Sequence, residues 1–207
     1  MPKDTPMRRT PRQQRSQKRV EIILNAAAQL VTEMGYEAMT TSAIAEQAGT
    51  SIGSLYQFFP HKDAVLHALA QRYLEEMQHL TSRLFTPDVE YVPLPVLVDR
   101  TINALVEFEV THPGFNLIFN SAWISPELKN AADSITGAMI TDFDRVIALK
   151  SPNLKTEDRS IAAEVLMSII KGVLPLTLTG SSQYRARVVA EFKRATLAYM
   201  NSLLVVN

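Results

Sequence analysis

Ser54, His61 and Asp63 place a nucleophile, a base and an acid type within ten residues of one another, the inventory of a hydrolytic triad. Nothing beside them resembles an oxyanion hole, and Ser54 and Asp63 each have a structural use. Hydrolysis is therefore the least favoured chemistry, and no enzyme activity is expected; turnover abolished by Ser54→Ala would say otherwise. His61, His67, His79 and His112 share no ligand spacing, and the chain has no cysteine, so neither a metal nor a cofactor is expected. The lack of cysteine also removes disulfides and thiol nucleophiles and fits a reducing compartment, with cytoplasm as the default.

A second chemistry, polyanion binding, has more residues behind it. Ser51, Gly53, Ser54 and Gln57 are small or polar and would let a short helix approach a groove. Gly53 removes a side chain where backbone must come close, and Tyr56 can stack over a sugar and give its hydroxyl to a phosphate. Thr40 or Thr41, with the free amides of a helix start, offers a phosphate site, and Lys62 offers a point charge. Thr41, Ser51 and Ser54 could each be plain helix caps; together, at this spacing, they favour DNA contact. Formal net charge is zero, yet residues 1–19 hold Lys3, Arg8, Arg9, Arg12, Arg15, Lys18 and Arg19 against Asp4 alone. A basic arm on an acidic body suits a polyanion at one end, although a solubility tail would have the same composition.

These residues need elements to hold them. Apolar content of 46% in 207 residues supplies a buried core. Pro2, Pro6 and Pro11 predict a loose arm over 1–16. From Lys18, the residues Val20, Ile23, Ala27, Leu30, Val31 and Met34 recur at helical steps, and Gly35 can end the helix in a left-handed cap. Thr40 opens a short helix through Ala48 with Ile44, Ala45 and Ala48 inward. Gly49 closes it, and Thr50 or Ser51 caps a third helix with Leu55 and Phe59 toward the core. So tight a turn sets the second helix sharply off the first. Pro60 ends the third helix, and Asp63 opens a long one to about Leu84. Further helices are predicted over 96–110, stopped by His112 and Pro113, around 115–119, over 126–149, 156–178 and 184–205. Strand alternation and repeats are missing, so the fold class is all-α with about nine helices. No run approaches 18 uncharged apolar residues, and Val20 to Leu30 is interrupted by Glu21, Asn25 and Gln29, unlike a signal peptide, so a soluble, unprocessed chain is expected.

The run GYEAMTTSAIAEQAGTSIGSLYQFFPHKDAVL lies at the centre of a stretch from about Arg19 to Tyr73 that resembles the tetracycline-repressor (TetR) family. The resemblance implies a helix-turn-helix at about 40–59 within a DNA-binding domain of residues 17–62, after the arm at 1–16. Residues 63–207 would then form an effector-binding and dimerisation domain. It implies DNA contacts at Thr41, Thr50, Ser51, Ile52, Gly53, Ser54, Tyr56, Gln57, Phe58 and Lys62. Three positions depart from many relatives: Ile52 stands where a basic residue is frequent, Gln57 where an aromatic is, and Phe58 where a histidine is. Base readout would lean on Gln57 and on apolar contact with thymine methyls.

The same resemblance implies a repressor that binds a palindromic operator as a homodimer, in the bacterial cytoplasm at the nucleoid, and leaves it when a small effector binds. Its reading heads would sit about 34 Å apart. Phe108, Phe115, Phe119, Trp123, Met139 and Phe143 lie on helices that line the family's ligand cavity and would suit an apolar or aromatic molecule, though plain core has the same pattern. Asn103, Thr111, Asn120 and Ser121 could add polar contacts, and no charged residue stands out as an anchor. Dimerisation is expected through Ile161, Val165, Ile169 and Val173 on one helix and Val188, Phe192, Ala195, Tyr199 and Leu203 on the last, with Pro175 bending the first near its end. The alternative is a helical protein-interaction module with weak or no specific DNA binding, separated from the first reading by a gel shift on the gene's own upstream region.

Overall fold

Helical periodicity begins earlier than its apolar stripe suggests. In the computed structural model, which describes residues 11–120 and 126–204 without the side chains of 11–14, 126–128 and 131, helix α1 spans Pro11–Ala38. The predicted loose arm therefore gives way to helix at Pro11: proline is tolerated in a first turn, and the Gln, Arg and Lys residues that follow are good helix formers. Lys3, Arg8, Arg9, the side chain of Arg12, Ser121 and Trp123 lie outside the described residues. Ile23, Ala27, Leu30 and Val31 are buried as their spacing requires, whereas Met34 is 44% exposed. The helix is broken one residue later at Gly35 (φ 77°, ψ 171°), a conformation reserved for glycine, and Met39 beyond the break is fully buried.

Helices α2 (Thr41–Gln47) and α3 (Ile52–Tyr56) follow. Thr40 caps α2 by accepting the Ala43 amide at 3.1 Å, and Ser51 caps α3 by accepting the Ser54 amide at 3.1 Å. Gly49 (φ 59°) makes the turn between them, with the Thr50 amide reaching back to the Ala45 carbonyl at 2.9 Å. Helix α3 ends at Tyr56, before Pro60 is reached. Helix α4 (Lys62–Leu84) carries Asp63 in its first turn and Arg83 in its last, both favourable to its dipole.

A 3₁₀ turn (Pro87–Tyr91) leads to α5 (Leu94–Thr111), which takes Pro95 into its first turn and so starts two residues before the predicted point. Then come α6 (Phe115–Phe119), α7 (Pro126–Lys150), α8 (Thr156–Val173), a second 3₁₀ turn (Leu174–Leu178) and α9 (Ser182–Leu204). Among the described residues no strand occurs. Pro175 does not bend α8; it ends it, because a ring without an amide cannot continue the ladder, and the chain tightens into the 3₁₀ turn.

The chain forms two compact units, one up to Leu69 and one from Ala70, so α4 belongs to both. In the second unit α7 packs on α8 and α5 on α9, with the Leu174–Leu178 turn against α5, α8 and α9. Helix α8 buries Ala162, Ala163, Leu166, Met167 and Ile170, yet Ile161 is 60% and Val165 39% exposed. With the turn after it, Thr156–Leu178 is long and apolar enough to cross a bilayer, with a mean hydropathy of 1.8. Helix α9 turns Phe192, Thr196 and Met200 inward, so Phe192, predicted at an interface between copies, belongs to the chain's own core.

Candidate nucleic-acid interface

Helix α3 presents two different sides. Leu55 is fully buried and Phe59 nearly so, which anchors the segment to the first unit. Ser51, Ile52, Gly53, Tyr56 and Gln57 are exposed, and Thr50, Ser54 and Phe58 are half-buried. A Cβ built on Gly53 would meet nothing within 4 Å, so the space in front of it is open for another molecule's backbone. Thr40 serves as the α2 cap, which leaves Thr41 to pair its hydroxyl with the Tyr56 hydroxyl at 3.2 Å across α2 and α3. Both phenol and alcohol keep hydrogen-bonding capacity on the exposed side.

Two basic residues behave differently from their sequence reading. The Lys62 ammonium donates to the carbonyls of Tyr36 (2.9 Å) and Glu37 (3.5 Å), the open end of α1, and lies 4.1 Å from the Tyr36 ring centre. Lys62 thus closes a helix terminus as well as carrying a charge. Arg19, a member of the basic run in the sequence, donates from its guanidinium to the Ser54 hydroxyl at 3.1 Å. It puts a fork of four further N–H donors beside the exposed face of α3. Sequence spacing hid this, since 35 residues separate the pair.

Of the triad types, His61 and Asp63 are neighbours, with the His61 Nδ1 4.0 Å from an Asp63 carboxylate oxygen, but each of the three is hydrogen-bonded to a residue outside the set. Ser54 pairs with Arg19, the His61 Nδ1 accepts the Ala64 amide at 3.2 Å as a cap on α4, and Asp63 accepts the Tyr36 hydroxyl at 2.7 Å.

Two short helices joined by a tight glycine turn, the second exposing small and polar groups over a buried Leu and Phe, form a helix-turn-helix reading head. The model for bacterial regulatory proteins of the tetR family matches residues 23–69, and that for the tetracyclin repressor-like C-terminal domain matches residues 93–200. The chain belongs to the TetR family. It carries the helix-turn-helix DNA-binding domain of these transcriptional regulators.

Among relatives, the uncharacterized HTH-type transcriptional regulator YhgD of Bacillus subtilis is 31% identical over 94 residues, 45% of this chain and 48% of YhgD. The HTH-type transcriptional repressor KstR of Rhodococcus jostii is 38% identical over 61 residues, 30% of this chain and 27% of KstR. The chain thus spans half or less of the length of these relatives. Among solved structures, a SmeT–triclosan complex shares the fold with a TM-score of 0.66 at 20% identity, over 90% of each chain.

The residues that the TetR resemblance assigned to one effector wall divide into groups in the second unit. Phe108, Phe115 and Phe119 join Tyr73 in an aromatic cluster, with ring centres 5.0 Å apart for Phe108–Phe115 and for Phe115–Phe119. Phe143 instead faces Phe85, with ring centres 6.0 Å apart, at a small apolar cavity of about 30 Å³. Met139 is buried in α7. The cavity wall carries two buried hydroxyls, Thr101 and Thr196, without hydrogen-bond partners. The polar candidates are turned away: Asn103 bonds Asp99 on the surface, Thr111 bonds the Glu107 carbonyl, and Asn120 bonds Asn116.

The sequence reading missed Glu109. It is 4% exposed, its Oε1 has no hydrogen-bond partner, and burial pushes its carboxyl up to about 7. Val98, Ile102, Leu105 and Glu109 are spaced by four, three and four residues, the inward stripe of α5, so an acid in a core register was the available signal.

Proposed function

We propose that this TetR-family regulator is a repressor that binds a palindromic operator as a homodimer and releases it when a small effector enters the second unit. The observation that carries the DNA part is the exposed side of α3, where Gly53 faces open space and Tyr56 and Gln57 project over the buried Leu55 and Phe59. Thr41, Thr50, Ser51, Ile52, Ser54, Phe58, Lys62 and Arg19 complete the contact surface. Phosphate contacts from Tyr56 and Arg19 position the head, and Gln57 reads one base edge. KstR, named a repressor, is one relative that supports the sign of regulation.

The pairing of two copies is supported by the outward side of α8 and α9. Ile161 and Val165 are exposed, and Ile169, Val173, Val188, Tyr199 and Leu203 are half-buried in the single chain. Only 39% of an apolar 18-residue stretch within Thr156–Leu178 is buried, which suits a second copy packed against it. An effector is supported by the SmeT complex with triclosan, by the cavity near Phe143 and by the passage of α4 through both units. The cavity, at about 30 Å³, has room for little more than a water molecule, so a drug-sized molecule has to open it.

The test separates capping from DNA contact at Ser51. Aspartate caps as well as serine, so Ser51→Asp keeps thermal stability while bringing a negative charge to the groove. Operator affinity, measured by fluorescence anisotropy on the gene's own upstream region, should fall at least tenfold on the scale of roughly 1.4 kcal/mol per decade. Gln57→Ala should relax preference at one base position by about 1–3 kcal/mol. Unchanged affinity and preference in both variants would remove α3 as the reading helix.

A further inference from the structure

Threonine inside a helix can return its hydroxyl to the carbonyl one turn back. Thr32, Thr111 and Thr141 do so, at 2.8, 2.8 and 2.9 Å. Thr101 on α5 and Thr196 on α9 do not: they are 9% and 5% exposed, and neither hydroxyl has a hydrogen-bond partner. Valine has the same shape and would fill either position without an unpaired polar atom in the core. Both threonines line the cavity of about 30 Å³ near Phe143, and the rest of its wall is aliphatic or aromatic, with Leu97, Ile102 and Ile170 among it. Among the described residues no charged side chain lines it. In a space little wider than a water molecule, one oxygen can meet both hydroxyls. A water there gains those two bonds and is otherwise surrounded by hydrocarbon. A lipophile carrying one oxygen group gains the same two bonds and buries its body against the wall.

We propose that Thr101 and Thr196 form the polar half of a binding site for an uncharged lipophilic molecule with a single hydroxyl or carbonyl group, held from α5 and α9 together. A threonine hydroxyl both donates and accepts, so a ligand carbonyl accepts from both residues, and a ligand hydroxyl donates to one and accepts from the other. A carboxylate or an ammonium would leave water for a wall that offers no countercharge, and a pure hydrocarbon leaves both hydroxyls unpaired. The body of the ligand enters by displacing Met200, the unbranched side chain of the wall, which changes rotamer at low cost. That this molecule is also the effector rests on the reading given under Proposed function; Phe85, the first residue after α4, lies on the same wall.

Calorimetry on the full chain at pH 7 compares probes of matched shape: 4-methylphenol, p-xylene, in which a methyl replaces the hydroxyl, and 4-methylbenzoate, in which a carboxylate does. The phenol should bind at least about tenfold more tightly than p-xylene, and the benzoate should not bind. Thr101→Val and Thr196→Val should each weaken the phenol roughly three- to tenfold, leave p-xylene bound as before or more tightly, and melt no lower than the native chain. The p-xylene titration shows that the cavity still forms, so loss of the phenol alone cannot come from misfolding. Equal affinity of the native chain for phenol and p-xylene, or unchanged phenol affinity in either variant, would overturn the site. A lower melting temperature in either variant would do the same, since it means that the hydroxyl is already partnered. So would a native chain that binds no phenol, which leaves the cavity to a buried water. Retention of DNA from the gene's upstream region is measured alongside: phenol binding through both threonines without DNA release leaves the site standing and removes the effector reading.

Discussion

Glu109 makes stability depend on pH in a direction opposite to that of a salt-bridged acid. Its carboxyl ordinarily titrates at 4.5, and in the folded chain it titrates at about 7 because burial disfavours the charge. The folded state therefore holds a proton that the unfolded state has released between these values. The stabilisation is complete below pH 4.5, declines as pH rises, and is gone once pH passes about 7. Its ceiling is roughly 3 kcal/mol at about 1.4 kcal/mol per pH unit. Glu109→Gln should remove this dependence, so urea unfolding of the two proteins at pH 5 and pH 8 should show the variant gaining by up to that amount at the higher pH. Parallel profiles would mean that the carboxyl is solvated. The register of α5 carried a signal for this residue that the sequence analysis did not use, and its lack of a partner had no signal at all, because partnership depends on what other helices bring to it.

At the scale of elements, the first unit depends on where helices stop. Gly35 breaks α1 in a backbone region that only glycine occupies at low cost, and a Cβ there would meet nothing within 4 Å. The penalty for Gly35→Ala is therefore backbone strain alone, about 1–3 kcal/mol. Thermal unfolding followed by circular dichroism should show that loss, and a variant as stable as the native chain would mean that the turn tolerates another conformation. Thr40, Ser51 and Gly49 were legible as stops and starts because caps act over three or four residues. The start of α1 at Pro11 and the end of α8 before Pro175 were less so: proline is compatible with a first turn and incompatible with an interior, and only the observed ladder tells which applies.

At the scale of the whole molecule, the outward face of α8 is the feature a single chain leaves unsatisfied. Ile161 is 60% exposed, so Ile161→Glu should leave the fold of one chain intact. In a two-fold pair it would bury two unpaired carboxylates, each costing several kcal/mol. Analytical ultracentrifugation at micromolar concentration should show the native chain as a dimer and the variant as a monomer, with operator affinity lost in parallel. A native monomer, or a variant that still dimerises, would place the interface elsewhere.

Local chemistry is what the sequence determined by itself. Period and caps gave an all-helical chain, and the Thr40–Phe59 spacing gave a helix-turn-helix with Leu55 and Phe59 inward, since these depend on neighbours three or four residues away. The tertiary structure decided what depends on distant partners. It gave the Lys62 ammonium to the end of α1, brought Arg19 to Ser54, drew Phe192 into the core and separated Phe143 from the Phe108–Phe119 cluster. An apolar residue at helical spacing carries no mark of whether its neighbour is its own core, a second copy or a ligand, because burial releases water equally in all three cases.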